Sequence, residues 1–148
     1  MVLRIDENNP DKRRIQQVVD VLRKGGVIIY PTDTVYTLGC SIESKKAYEK
    51  ICKLKNIKPN KANFPIVCSD FSQLSEFTTA LSNNTFRLMK RVLPGPYTFI
   101  LPGSKTLPNG FKNKKTVGIR VPDNAIAIEL VTLLGNPIVS TSIHDEDE

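Results

Sequence analysis

Apolar and polar positions along this 148-residue chain switch repeatedly between a helical and a strand period. Ile15, Val18, Val19 and Leu22 fall on one helical face; Asn9-Pro10 opens that run and Gly25-Gly26 closes it. A short strand is predicted before it, over Val2 to Ile5, and a buried one after it, over Val27 to Tyr30, stopped by Pro31. Ser44 predicts the cap of a helix whose inner face carries Ala47, Ile51 and Leu54. Phe64 to Cys68 reads as a strand, and Asp70 with Gln73 as a capping box opening a short helix. Asn84 to Leu93 is helical by the spacing of Phe86, Met89, Val92 and Leu93, and Pro94-Gly95-Pro96 breaks it. Tyr97 to Leu101 and Thr116 to Val121 read as strands. Asp123 predicts a cap for a helix carrying Ile126, Leu130 and Leu133, closed by Gly135, and Pro137 to Ser142 is the last strand. Strands alternating with helices predict an α/β layered fold with a mixed or largely parallel sheet. In such sheets ligands collect beyond the carboxyl ends of strands.

Composition narrows the class. One domain over 1–148 fits the length, and 40% apolar with 24% charged residues is an ordinary globular balance. No apolar run is long enough to span a bilayer and no leader-like stretch follows Met1, so a cytoplasmic protein is expected. Cys40, Cys52 and Cys68 are widely spaced and His144 stands alone, which disfavours a zinc site or a disulfide framework. The net charge of +6 understates the basic character. Without the acidic Asp145 to Glu148, 21 basic residues face 11 acids, a balance of +10. Residues 45–115 hold 14 Lys or Arg against three acids. Such a segment attracts polyanions such as RNA; a merely solvated basic surface is the other reading.

Candidate chemistry gathers at strand ends. Pro31-Thr32-Asp33-Thr34-Val35-Tyr36 places hydroxyls and a phenol directly after a buried strand, where they either fix a small polar ligand or form a Pro-led turn with an Asx-type bond from Asp33. In Thr116 to Pro122, alternation puts Val117, Ile119 and Val121 on one face and Gly118 with Arg120 on the other. A small residue beside a lone Arg leaves room for a carboxylate or phosphate; an edge-strand Arg reaching solvent is the alternative. Ser140 and Ser142 share a face, Thr98 follows the Pro94-Gly95-Pro96 turn, and Lys55, Lys58 and Lys61 make a cationic loop. Hydroxyls and cations with almost no general base suit positioning and electrostatic stabilisation of a nucleotide reaction. Neither a Walker loop nor a G-x-G-x-x-G turn is present.

Four motifs resemble the YrdC/YciO family, the threonylcarbamoyl-AMP synthases. Gly26 to Tyr36 is similar to its G-x-x-x-x-P-T-E-T-x-Y segment, Pro94-Gly95-Pro96-Tyr97-Thr98 to its P-G-x-x-T turn, Val117 to Pro122 to its V-x-x-R-x-P strand, and Ser140-Thr141-Ser142 to its closing S-x-S-x-N run. The resemblance implies an open twisted mixed sheet with flanking helices around a basic cavity. It implies ATP, L-threonine and bicarbonate as substrates, with Mg²⁺ on the phosphates, and threonylcarbamoyl-AMP plus pyrophosphate as products in tRNA modification. By position, Thr32 would hold the threonine and Tyr36 line the cavity. Lys55 would face phosphates, and Thr98, Ser140 and Ser142 would bond substrate or nucleotide. Arg120 would hold an anionic group; with Lys55 it is the expected catalytic pair. The sequence departs from the family at the K-x-R pair, read here as Lys55-Asn56-Ile57, with Lys58 as the nearest replacement cation. His144 replaces the closing asparagine, and Thr37 stands where glycine is usual. These departures are similar to the YciO branch, for which binding of double-stranded or structured RNA or of nucleotide, without the synthase reaction, is the alternative function. Relatives continue beyond the last motif, so the C-terminal part of the family domain is expected to be absent from this chain.

Overall fold

A computed structural model describes residues 1–111 and 114–143. The acidic run Asp145 to Glu148 and the His144 replacement lie outside the described residues. The order of elements is α1 (Lys12–Arg23), β1 (Ile28–Pro31), β2 (Tyr36–Ser41), α2 (Lys45–Leu54), β3 (Ile66–Val67), α3 (Phe71–Ser75), α4 (Asn83–Val92), β4 (Phe99–Pro102), β5 (Thr116–Arg120), α5 (Ala125–Leu134) and β6 (Ile138–Ser142). The strands form one open mixed sheet in the order β1-β2-β6-β3-β5-β4. Among the described residues β3 and β5 run parallel and the other four strand pairings are antiparallel.

Strand alternation decides which helices cover which face. Ile66, Val117, Ile119 and Val139 point into a core built with Ala47, Tyr48 and Ile51 of α2, Leu74 of α3 and Met89 of α4. Their neighbours Val67 and Ile138 point the other way, with Tyr30, into a core made with Ile15, Val19 and Leu22 of α1 and Leu130, Val131 and Leu134 of α5. The expected inward set Val117, Ile119 and Val121 is buried at 2%, 0% and 4% exposure.

Several boundaries differ from the sequence pattern for local reasons. Residues 2–5 form no strand; Ile5 packs against the α1–α5 core from an irregular segment. Asp11, not Asn9, caps α1, because its carboxylate accepts from the Arg13 N–H at 2.9 Å. Asn124, not Asp123, caps α5, accepting from the Ala127 N–H at 3.1 Å. Ser44 caps α2 as expected, and Asp70 accepts from the Gln73 N–H while the Gln73 side chain accepts from the Ser69 N–H. Pro31 lies inside β1, which sits at the sheet edge where a missing N–H costs no ladder bond. The predicted Phe64 to Cys68 strand contracts to two residues, and Gly135 ends α5 with φ 84°. β2 was not expected at all.

Candidate functional site

β2 changes what the sheet offers. It lies between β1 and β6, with Thr37 opposite both Tyr30 and Ser142, and Gly39 opposite Ser140. Thr37, Gly39, Ser140 and Ser142 therefore share the face that carries Ile138. Arg120 is on the same face, in register with Val67. Part of this face is sealed by α1 and α5. Beyond them a cavity of about 640 Å³ opens, lined by Thr37, Ser140, Thr141 and Ser142 on its sheet side. Lys55, Ile57 and Lys61 come from the segment after α2, Asn63 to Pro65 from the approach to β3, and Thr98, Arg120 and Val35 complete the wall. A second cavity of about 440 Å³ shares Asn63, Phe64, Pro65 and Thr98 with the first and continues over Gly118, Ile100 and Val117.

Five of the eight candidate residues meet in the first cavity: Lys55, Thr98, Arg120, Ser140 and Ser142. Three do not line it. The Thr32 hydroxyl is buried and donates to the Val35 carbonyl at 2.7 Å while accepting from the N–H groups of Thr34 and Val35, so it ties the β1–β2 turn. Tyr36 points outward and is 61% exposed. Lys58 lines a separate groove with Lys46, Lys50 and Lys53 on the outer side of α2. Lys61, three residues on, lines the cavity instead.

Arg120 is held by the β1–β2 turn. Its Nη2 donates to Asp33 Oδ1 at 3.1 Å and to Thr34 Oγ1 at 3.4 Å, with both charged side chains nearly buried. Asp33 Oδ2 accepts from the Asp123 N–H at 3.0 Å. The carboxylate thus reaches across to β5 and the start of α5 instead of closing an Asx turn. Arg120 Nε is buried and has no hydrogen-bond partner among the described residues. A dry donor of this kind carries an unmet desolvation cost until an acceptor arrives. Lys55 Nζ donates to the Ser142 carbonyl at 3.1 Å, which directs the ammonium to the end of β6.

Three buried hydroxyls lie across the sheet beside these cations. Tyr30 Oη donates to Ser140 Oγ at 2.9 Å, and Ser140 Oγ donates to Thr37 Oγ1 at 3.1 Å. The phenol can cross β2 only because residue 39 is glycine: a Cβ there would lie 2.6 Å from the Tyr30 ring. Burial pushes the Tyr30 phenol above its ordinary range, and the neighbouring hydroxyls of Ser140 and Thr37 work in the opposite direction. Tyr30 and Thr37 carry no expected role in the sequence; Asp33 enters there only as a turn residue and Lys61 only as part of the cationic loop. Tyr30 and Asp33 stand in the Gly26 to Tyr36 segment and Thr37 follows it directly, but their partners lie far along the chain. Among the described residues no group of three or more His, Cys, Asp or Glu is placed to hold a metal ion, and no helix is long and apolar enough to cross a membrane.

A family model for Sua5, YciO and YrdC proteins, described as telomere recombination, matches residues 20–148. The chain belongs to the Sua5/YciO/YrdC family. Uncharacterized protein YciO of Escherichia coli (strain K12) is 48% identical over 141 residues, which cover 94% of this chain and 68% of that protein. The solved structure of E. coli YciO superposes with a TM-score of 0.83 at 47% identity, covering 93% of this chain and 66% of that one. A threonylcarbamoyl-AMP synthase of Vibrio vulnificus (strain YJ016) is 34% identical, covering 86% of this chain and 70% of its own. P. abyssi Sua5 complexed with L-threonine matches with a TM-score of 0.81 at 28% identity, covering 90% of this chain and 39% of that one. Against the solved YciO, this family member therefore spans slightly less than two thirds of its relative's length.

Proposed function

We propose that this chain binds ATP and L-threonine in the cavity at the open end of the sheet and forms threonylcarbamoyl-AMP. One observation carries the reading: Lys55, Lys61 and Arg120 converge with the hydroxyls of Thr98, Ser140 and Ser142 on a single hollow of about 640 Å³. That set binds anions and offers no strong general base. It suits a reaction whose barrier is lowered by orientation and by cations on growing negative charge. The threonine amine captures bicarbonate with loss of water, giving a carbamate. A carbamate oxygen then bonds to the α-phosphorus as the α–β anhydride breaks, and pyrophosphate leaves with its electron pair. Lys55 and Lys61 stabilise the charge on the leaving phosphates. Arg120, with its dry Nε, offers a donor to a carboxylate or phosphate oxygen. Mg²⁺ arrives with ATP as part of the substrate, holding phosphate oxygens and water. Thr32 acts from behind, fixing the turn that carries Asp33.

The test is pyrophosphate release on incubation with ATP, L-threonine, bicarbonate and Mg²⁺. Release that needs both threonine and bicarbonate supports the proposal. Background release from folded protein contradicts it.

A second reading is favoured by the higher identity to YciO than to the synthase, 48% against 34%. It is also favoured by the lysines that flank α2 outside the cavity. Here the chain binds structured or double-stranded RNA, tRNA included, without the synthesis. Binding must then weaken steeply with salt, with a log–log slope near 0.9 per phosphate neutralised. RNA affinity that ignores salt contradicts it.

A further inference from the structure

The hydroxyl row across β1, β2 and β6 has a direction. Each hydroxyl owns one proton and can accept more than one. Tyr30 spends its proton on Ser140, and Ser140 spends its own on Thr37. Thr37 accepts from Ser140 in this row and donates no hydrogen bond of its own among the described residues; its other polar neighbour, the Tyr30 phenol, is already committed as a donor to Ser140. Thr37 is 2% exposed, as are Tyr30 and Ser140, yet it lines the cavity, so its unspent proton belongs to a dry group at the cavity wall. Gly39 makes the arrangement possible by letting the Tyr30 ring lie over β2. The phenol, locked in the α1–α5 core, fixes the first donor and thereby the sense of the whole row.

We infer that Thr37 is a ligand-binding residue of this site, donating its hydroxyl proton to an anionic oxygen of the occupant. Tyr30 is the positioning residue that keeps that proton aimed outward. The inference rests on the proposed ATP and threonine site and deepens it. The acceptor oxygen belongs to a phosphate or to the threonine carboxylate, and the two probes separate these sources.

The experiment is a calorimetric titration of the full chain with MgATP and, separately, with L-threonine, on the unsubstituted protein, Thr37→Val, Thr37→Ser and Tyr30→Phe. Thr37→Val is expected to raise Kd for one of the probes about tenfold or more, as loss of a hydrogen bond to a charged group does. Thr37→Ser should restore most of that affinity. Tyr30→Phe keeps the ring packing and frees Ser140 to accept from Thr37, so it should weaken the same probe several-fold. Unchanged Kd for both probes in Thr37→Val and Tyr30→Phe overturns the inference and leaves the site reading standing. If Thr37→Val fails to fold, Tyr30→Phe decides alone. If the unsubstituted protein binds neither probe, the site reading and the inference fall together.

Discussion

One face of the sheet ends in two different ways. Under α1 and α5, Val67 and Ile138 are fully buried and Tyr30 nearly so, sealed by hydrocarbon from both helices. Two residues further along β6 the same face carries Ser140 and then Ser142, and the helices no longer cover it. The sealed end contributes stability through apolar burial. The open end is polar, cationic and concave, and holds a guanidinium whose Nε has no partner among the described residues. Tyr30 joins the two: its ring belongs to the sealed core and its hydroxyl to the open wall. A strand contributes to both ends simply by changing residue type every second position, without changing its backbone.

The contrast predicts that substitutions separate stability from binding. Ile138→Ala should have the largest effect, about 2–5 kcal/mol of unfolding free energy, read by denaturant titration, with ATP affinity little changed under native conditions. A large loss of affinity would mean that the two ends are not independent. Arg120→Ala should cost about 3 kcal/mol, because it strands the nearly buried Asp33 carboxylate, and it should also abolish ATP binding; unchanged stability would show that the ion pair is only incidental. The Tyr30 phenol supplies a pH test. Its folded pKa lies above the ordinary 10.0 because of burial, so its contribution is complete below pH 10. That contribution is lost as the pH rises above 10, where the unfolded chain ionises first. Tyr30→Phe should flatten the fall by up to about 1.4 kcal/mol per pH unit, seen in melting temperatures taken across that range. Lys61→Ala should be smallest in stability, within about 0.5 kcal/mol, while weakening ATP binding several-fold in a salt-sensitive way. No change in binding would remove Lys61 from the site.

Much of the packing was legible because it is local. Ser44 and Asp70 carry their own capping chemistry, and the alternation of Val117, Ile119 and Val121 states its buried face directly. The site was legible only as a set of strand-end residues. β2 was hidden because Pro31 to Tyr36 carries strong turn signals and the following Thr37 to Ser41 includes Gly39, which weakens a strand pattern. Without β2, Thr37 had no neighbours, and the Tyr30–Ser140 bond spans 110 residues. Asp33 looked like a turn residue because its partner Arg120 lies 87 positions away. Lys58 stands nearest the missing arginine in sequence, yet Lys61 lines the cavity, because the 3₁₀ turn at Pro59–Lys61 sends the two to different surfaces.

If the open end of this sheet face receives an anionic nucleotide, a crystal structure with MgATP will show phosphate oxygens within hydrogen-bond distance of Lys55 or Lys61 and a ligand oxygen facing Arg120 or Thr37. Nucleotide bound elsewhere, with this cavity holding only water at saturating ATP, would contradict that reading.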